Sequence, residues 1–311
     1  MIRMEKQREA YGLALAELGA ENPNIVVLEA DLGNSTRTVY FRDRFPERFF
    51  EMGIAEQNMA STAAGLALTG KIAFYNSFAV FATGRAFDQI RNSICVPGLN
   101  VKIGGSSCGL SDFGDGKTHQ SVEDIAIMRA IPNMTVLAPV DAVETTKMVR
   151  AMAEHDGPVY IRINRNDLPV LMDDREPYHI GQMTKLRDGD DIVVFANGSL
   201  VARALEAGEQ LASEGISVKV VNVSTIKPLD TQALKAHCTG MRAVVTAEEH
   251  SVVGGLGSAV AEALRNTPDL GIEFIGINDS FGCSAWNYDE LLQHYGLTAD
   301  AICAAIRKQL Q

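Results

Sequence analysis

Apolar positions along the chain alternate between two spacings. Near the N-terminus they recur at helical intervals, which predicts an amphipathic helix ending at Gly19, with an apolar face of Tyr11, Ala14, Leu15 and Leu18. The turn-forming NPN then leads into a short apolar run, IVVLEA, that predicts a buried strand. Further strands are predicted at KIAFYN, NVKIGG, MTVLAP and VYIRI, and helices over 79–95, 121–130 and 141–154. This alternation predicts an α/β fold whose mostly parallel sheet is flanked by helices on both faces.

The pattern divides the chain into two units. Residues 1–172 are predicted to form the mostly parallel α/β domain. Residues 173–190 are charged and turn-rich without a period, which is typical of a linker. Residues 191–311 repeat the alternation in a smaller α/β domain, with strand-like runs at DIVVFA, SVKVVNVS, RAVVTAEEH and IEFIGIN.

Composition excludes several classes of function. With 311 residues and 46% hydrophobic content, the chain can bury the cores of two α/β units. A net charge of −11 without a basic stripe argues against binding to nucleic acid or to an anionic membrane, and favours protein partners. Five cysteines without a C-x-x-C pair indicate neither a disulfide framework nor a zinc site, and fit a reducing cytoplasm. No uncharged stretch approaches the about 20 residues of a membrane helix.

One acidic residue stands out in the run FFEMGIAEQNM, residues 49–59. Glu56 lies there among apolar and small residues, where a strand is predicted to turn into a helix. A carboxylate near a helix N-terminus can simply be favoured by the helix dipole. Alternatively, it is a buried acid kept to bind a ligand, since an unpaired acid among apolar groups would protonate or destabilise the fold. Met52 and Ile54 are interpreted as core residues.

Longer motifs around Glu56 resemble a known family. The runs GIAEQNMASTAAGLALTG, YNSFAVFATGRAFDQIRNSI, DGKTHQSVEDIAIMRAIPNMTVLAPVDAVET and GPVYIRINR resemble the pyrimidine-binding domain of transketolases. VVTAEEHSVVGGLGSAVAEAL resembles the transketolase C-terminal domain, so the likeness spans nearly the whole chain. The resemblance implies thiamine diphosphate as cofactor and Glu56 as the catalytic acid that hydrogen-bonds the 1′ nitrogen of its aminopyrimidine ring.

The resemblance also implies roles around the cofactor. Phe78 and Phe81, expected three residues apart on one helix, are ordinary core candidates that in the family form an aromatic wall for the pyrimidine. Asp31 is expected to order the cofactor side of the cleft; the alternative is that it only stabilises a structural turn. In the loop DFGDGKTHQ, His119 is implied to donate to the substrate hydroxyl and developing oxyanion, and Asp115 to bind a sugar hydroxyl. A solvated Asp- and Gly-rich loop is the alternative.

An anion site for the substrate is implied at three positions. Arg8, Ser35 and Arg165 fall where transketolases hold the sugar phosphate, and a planar guanidinium suits that anion. Each also has an ordinary structural explanation: surface charge, a helix cap and an ion pair. The chain departs from the family at Ser107 and Cys108, where a histidine and an aspartate are usual. The expectation is a weakened or reshaped anion site and a preferred sugar other than xylulose 5-phosphate.

No metal site is assigned to this chain. GDGK resembles the start of a Mg²⁺ and diphosphate motif, but the asparagine that the motif requires is missing at its spacing, since Asn133 comes too soon. The expectation is therefore that a separate N-terminal subunit holds Mg²⁺ and the diphosphate, in a heterotetramer built as a dimer of heterodimers. Glu248, His250 and glycines 254, 255 and 257 are interpreted as packing and interface residues.

Three classes of function are consistent with these residues. The leading one is a subunit of a split transketolase, a transferase of carbohydrate metabolism that moves a two-carbon ketol unit from a ketose phosphate to an aldose. The alternatives in the same fold are the beta subunit of a 2-oxo-acid dehydrogenase, which lacks the D-G-x-T-H-Q arrangement, and a fragment similar to 1-deoxyxylulose-phosphate synthase. The third class is a non-catalytic partner, which Glu56, Phe78, Phe81 and His119 together argue against.

Overall fold

Fourteen strands run through the part of the chain that the structure, a computed structural model, describes, which is residues 3–267 and 270–311. The strands are β1 (Met4–Lys6), β2 (Ile25–Glu29), β3 (Phe49–Glu51), β4 (Ile72–Phe78), β5 (Val101–Ser106), β6 (Thr135–Leu137), β7 (Val159–Arg162), β8 (Asp167–Pro169), β9 (Thr184–Arg187), β10 (Ile192–Ala196), β11 (Val218–Asn222), β12 (Thr225–Lys227), β13 (Ala243–Ser251) and β14 (Gly271–Ile277).

The α-helices of the same residues lie between these strands. They are α1 (Gln7–Glu21), α2 (Gly33–Thr36), α3 (Val39–Arg44), α4 (Glu56–Leu68), α5 (Phe87–Gln89), α6 (Asp124–Ala130), α7 (Ala142–Glu154), α8 (Leu200–Ala212), α9 (Thr231–Cys238), α10 (Leu256–Leu264), α11 (Tyr288–His294) and α12 (Ala299–Leu310). Two π-helical turns, Phe81–Arg85 and Ile90–Cys95, flank α5, and two 3₁₀ turns are formed by Pro46–Arg48 and Gly116–Thr118.

The larger sheet has seven strands in the order β12-β6-β7-β5-β4-β2-β3. All its pairings are parallel except that of β12 with β6. Its strands are buried on both faces: along β2, Val26 and Leu28 belong to one apolar cluster, and Ile25 and Val27 to another. Burial on both faces is why these strands appear in the sequence as continuous apolar runs. The predicted fold class is confirmed.

The second large sheet has five strands in the order β14-β13-β10-β11-β9. Its edge strand β9 pairs antiparallel with β11 and lies within residues 173–190. The prediction that this whole segment is a linker is therefore wrong for Thr184–Arg187. Strand β12 comes from the C-terminal part of the chain but extends the larger sheet, so the two parts share a strand pairing. The boundaries 1–172 and 191–311 stay predictions.

Helix α1 buries the predicted apolar face, since Tyr11, Ala14, Leu15 and Leu18 are all buried. The prediction that this helix ends at Gly19 is wrong, because it continues to Glu21. The reason is tertiary: a Cβ at Gly19 would lie 2.5 Å from the ring of Phe41, so the glycine allows a close approach of α3 rather than ending the helix. In the part of the chain that is described, no helix is both long and apolar enough to cross a membrane.

Candidate active site

The site lies at the carboxyl ends of parallel strands in the larger sheet. Strand β2 leads into the loop of Asp31, β3 leads into Glu56, and β4 ends at Phe78. Crevices at this edge of a parallel sheet are where ligands bind in such folds. The topology therefore brings together residues that are far apart in the sequence.

Glu56 is the first residue of α4, and only 4% of its side chain is exposed. Its Oε1 accepts a hydrogen bond from Nη1 of Arg85 at 2.9 Å. Ile54, two residues earlier, is 73% exposed, so the interpretation of Ile54 as a core residue is wrong. The backbone turns between β3 and α4, and this turn leaves the Ile54 side chain at the mouth of a cavity while Glu56 faces inward.

Three aromatic rings stand beside this carboxylate. Phe78 and Phe81 lie with ring centroids 6.1 Å apart and planes 13° from parallel. The prediction that both lie on one helix is wrong, because Phe78 is the last residue of β4 and Phe81 opens the π-helical turn. The imidazole of His119 meets both rings edge-on, with centroid distances of 6.2 Å to Phe78 and 5.3 Å to Phe81.

A cavity of about 340 Å³ connects these groups, a size within the usual range for small-molecule sites. It is lined by Ala30, Asp31, Leu32, Ile54, Glu56, Phe81, Arg85, Thr118 and His119. An aminopyrimidine ring needs a carboxyl group that can share a proton with a ring nitrogen and an aromatic face to stack on, so the residues present fit the predicted cofactor. Four of the predicted residues, namely Asp31, Glu56, Phe81 and His119, line this one cavity.

The loop that carries His119 is shaped by Gly116, whose φ of +74° favours glycine. The His119 amide donates to the carbonyl of Gly116 at 2.9 Å, and its Nδ1 lies 2.9 Å from Oγ1 of Thr118. This leaves Nε2 as the ring nitrogen without a described partner. Asp115 has an exposed side chain and lies outside the lining of the cavity.

The predicted anion-binding residues form a cluster of arginines. Nη1 of Arg8 donates to the main-chain carbonyl of Ser35 at 3.3 Å, and Arg165 pairs with the buried Asp112. Burial, with Arg165 and Arg37 nearby, lowers the pKa of the Arg8 guanidinium. Its buried Nε has no hydrogen-bond partner among the described residues. The structure thus brings Arg8, Ser35 and Arg165 together.

Ser107 and Cys108, where the sequence departs from the family, follow directly after β5. Both are buried, with 1% and 3% of the residue exposed. Ser107 has a φ of +54°, a left-handed conformation that is uncommon outside glycine, asparagine and aspartate. Burial raises the pKa of the Cys108 thiol well above its ordinary value, which makes it an inert packing group.

Sequence reasoning missed Arg85, which lines the cavity, and Glu29, a buried acid at the end of β2. Arg85 lies within the family-like run YNSFAVFATGRAFDQIRNSI, but an arginine on a helical segment is typical of a solvated surface, so no role was predicted for it. Glu29 ends the apolar run of β2 and is fully buried, where its carboxylate accepts hydrogen bonds from Thr36, Thr38 and the Ala30 amide. Burial raises its pKa to about 7, against the opposing hydrogen bonds. An acid at the end of an otherwise apolar strand was the available signal.

The C-terminal glycine turn is held by a carboxylate of the chain itself. Oε2 and Oε1 of Glu248 accept the amides of Leu256 and Gly257 at 2.7 and 2.8 Å, so the acid caps helix α10. A Cβ at Gly255 would lie 2.2 Å from Glu248 Oε2, which explains the glycine there. The interpretation of this turn as a packing element agrees with these contacts.

Family models match both parts of the chain. The transketolase pyrimidine-binding domain matches residues 5–170, and the transketolase C-terminal domain matches residues 181–302. The chain belongs to the transketolase family. The family implies dependence on thiamine diphosphate, and the resemblance predicted from the sequence is confirmed.

Two relatives and one solved structure of this family match the chain over nearly their whole length. A Methanocaldococcus jannaschii protein, provisionally named a transketolase C-terminal section, is 48% identical and covers 98% of this chain and 96% of its own. The 6-deoxy-6-sulfo-D-fructose transketolase subunit of a Clostridium species is 41% identical, covering 98% and 95%. A split-gene transketolase, solved as an inactive beta4 tetramer, is 49% identical with a TM-score of 0.89 and covers 98% of both chains. The chain is thus a split transketolase subunit, and the dehydrogenase and synthase alternatives are not favoured.

Proposed function

We propose that this chain is the pyrimidine-binding subunit of a two-subunit transketolase that moves a two-carbon ketol unit from an anionic ketose to an aldose. The observation that carries the proposal is the buried carboxylate of Glu56 facing the same cavity as Phe81 and His119. When bound, thiamine diphosphate supplies a nucleophilic carbon that accepts the two-carbon unit. The chain's own residues bind, orient and exchange protons around it.

Each predicted residue has a role that its position supports. Glu56 accepts or shares a proton at the pyrimidine 1′ nitrogen, and Phe78 with Phe81 provides an apolar wall that excludes water from that hydrogen bond. Asp31 orders the loop on the cofactor side of the cavity, where its amide donates to Oε1 of Glu51 at 2.8 Å. His119 donates from Nε2 to the substrate oxygen as charge develops on it. Asp115 binds a sugar hydroxyl from the exposed side of the loop.

The substrate's terminal anion is assigned to Arg8, Ser35 and Arg165. The unpartnered Nε of Arg8 and the lowered pKa of its guanidinium are what a site short of negative charge shows. A bound phosphate or sulfonate would supply that charge and accept the free N–H. One relative is named for a sulfonated ketose, and another, 35% identical over 95% of this chain, is an apulose-4-phosphate transketolase subunit of Phocaeicola vulgatus. Both names fit a site selected for anionic ketoses.

The diphosphate and Mg²⁺ are assigned to a separate N-terminal subunit. In that assembly, a dimer of heterodimers, the cofactor lies between the two kinds of chain. The inactivity of the beta4 tetramer of the split-gene relative supports a requirement for the second subunit. All five cysteines of this chain are unpaired, which supports a reducing, cytoplasmic location.

The experiment that tests the proposal uses the two subunits together. Glu56→Gln should keep the fold and reduce turnover by at least about a hundredfold, since an amide cannot share the proton. Glu47→Gln, at a 68% exposed acid near the start of β3, is the matched control and should retain full turnover. Near-normal turnover of Glu56→Gln would exclude the role of Glu56.

Calorimetry tests which subunit binds the diphosphate and Mg²⁺. Mixing the two subunits should create a thiamine diphosphate affinity that neither has alone. Tight, Mg²⁺-dependent binding by this chain in isolation would contradict the assignment of diphosphate and metal to the partner.

A further inference from the structure

Arg85 contacts both groups that the predicted cofactor needs in this chain. Its Nη1 donates to Glu56 Oε1 at 2.9 Å, and its Cζ lies 4.1 Å from the centroid of the Phe81 ring. Glu56, Phe81 and Arg85 all line the same cavity of about 340 Å³. One guanidinium thus stacks on the Phe81 ring and hydrogen-bonds the Glu56 carboxylate.

A guanidinium and an aminopyrimidine share the features that matter here. Both are planar and delocalised, and both stack on an aromatic face. Both also hydrogen-bond a carboxyl group in their own plane: the guanidinium donates its N–H groups, and the 1′ nitrogen of the aminopyrimidine shares a proton with the acid. With the guanidinium seated as observed, an aminopyrimidine cannot stack on the same face of Phe81 and reach Glu56 Oε1 as well. The two groups therefore compete for one place.

We propose that, when no cofactor is bound, the guanidinium of Arg85 occupies the place of the cofactor's pyrimidine ring beside Glu56 and Phe81. The guanidinium is displaced when the aminopyrimidine binds. This inference rests on the proposed function, since it requires the pyrimidine to bind at Glu56. Beyond the residues that bind the cofactor, the inference identifies one residue, Arg85, that competes with it.

The contact stabilises the chain before the cofactor arrives. Glu56 is 4% exposed, and a buried carboxylate without a partner is strongly destabilising. Within the described residues, Arg85 is its one side-chain hydrogen-bond partner. The arginine thus holds the buried acid in place and keeps the cavity shaped for a planar group.

Arg85 is also able to leave. Its side chain is 48% exposed, and the bond to Glu56 is the one side-chain hydrogen bond that the structure describes for it. Swinging the guanidinium toward solvent therefore breaks one hydrogen bond and the stacking on Phe81, and returns the charge to water. The cofactor then replaces the lost hydrogen bond to Glu56 and the lost stacking on Phe81.

The first arm of the test measures cofactor affinity in the assembled two-subunit protein. Arg85→Met keeps an unbranched, flexible stem but removes the charge and the planar guanidinium. The dissociation constant of thiamine diphosphate, measured by calorimetry, should tighten by tenfold or more because nothing has to be displaced. Arg91→Met removes an exposed arginine from the same helical segment and should leave the constant unchanged. Weaker or unchanged binding by Arg85→Met overturns the proposal, since it would mean that Arg85 holds the ligand or plays no part.

The second arm measures the isolated chain. Arg85→Met should lower the thermal midpoint relative to Arg91→Met, and combining it with Glu56→Gln should remove most of that loss. This coupling between the two residues should disappear when the assembled protein is saturated with cofactor. Additive effects in the isolated chain overturn the proposal. If Arg85→Met fails to fold, Arg85→Lys keeps the charge without the planar stack and should tighten cofactor binding by a smaller factor.

The outcomes separate this proposal from the proposed function. If the wild-type assembly binds no thiamine diphosphate, the proposed function fails, whatever the stability cycle shows. If the assembly binds it and Glu56→Gln weakens binding while Arg85→Met does not strengthen it, only the role of Arg85 fails.

Discussion

Gln120 donates a hydrogen bond from its Nε2 to the main-chain carbonyl of Cys283 at 3.0 Å, across 163 positions of sequence. Close by, the amide of Ala285 donates to the carbonyl of Phe113 at 2.9 Å. The loop 281–285 of the C-terminal part thus packs on the loop 112–120 that carries Asp115 and His119. The C-terminal part therefore supports the loop for which a role in catalysis is proposed.

The first prediction concerns Gly282 in that supporting loop. A Cβ there would lie 1.8 Å from Oε1 of Gln120, so in Gly282→Ala the Gln120 side chain must move and its hydrogen bonds to the carbonyls of Asp112 and Cys283 are disturbed. Turnover of the assembled enzyme should fall tenfold to about a hundredfold, since small displacements of reacting groups have effects of this size. Gly114→Ala is the control, because Gly114 lies in the loop 112–120 itself and has open space around its Cβ position. Its turnover should stay within about twofold of wild type. Equal activities of the two variants would show that the contact does not position His119.

The second prediction concerns the anion site. Arg8→Gln should raise KM for an anionic ketose by tenfold to about a hundredfold, the value of a lost hydrogen bond to a charged group, and change kcat little. The effect should be absent with a neutral ketose. Arg42→Gln, at an exposed surface arginine, is the control. Equal losses for anionic and neutral ketoses would contradict the assignment of Arg8 to the anion.

The third prediction concerns the departure at Ser107. We expect the best donor to differ from xylulose 5-phosphate in chain length or terminal anion, because Ser107 supplies no charge at this position. Comparing kcat/KM over ketose phosphates and sulfonated ketoses, with wild type and Ser107→His, measures this. Ser107→Gly separates the hydroxyl from the backbone, since glycine adopts a φ of +54° without strain. If xylulose 5-phosphate is the best donor and Ser107→His does not improve its use, the altered specificity is refuted.

The fourth prediction concerns pH and Glu29. Burial raises the pKa of Glu29 to about 7 in the folded chain, from 4.5. The folded state therefore holds a proton that the unfolded state has lost between these values, and stability falls as pH rises through this window. Relative to Glu29→Gln, the wild-type chain should lose up to about 1.4 kcal/mol per pH unit between pH 4.5 and 7. Urea denaturation at several pH values checks this, and parallel pH profiles of the two proteins would contradict it.

The sequence by itself determined the fold class, the family and the residue types of the site. Strands buried on both faces must be continuous apolar runs, and the helix α1 must be amphipathic, so both leave a pattern in the chain. The motif around Glu56 carries its own chemistry, because an acid among apolar residues needs a ligand or a counterion. These are local properties, and local sequence is enough to predict them.

Only the tertiary structure decided which group each of these residues meets. The pairing of Glu56 with Arg85, the helix that continues through Gly19, and the bond from Gln120 to Cys283 all depend on elements brought together by sheet order. Spacing along the chain reports whether a side chain is buried, but it does not report which distant atom lies against it. Many partners of similar size and polarity would give a buried group a similar free energy of burial. The close packing of the whole fold decides which of these partners lies against it.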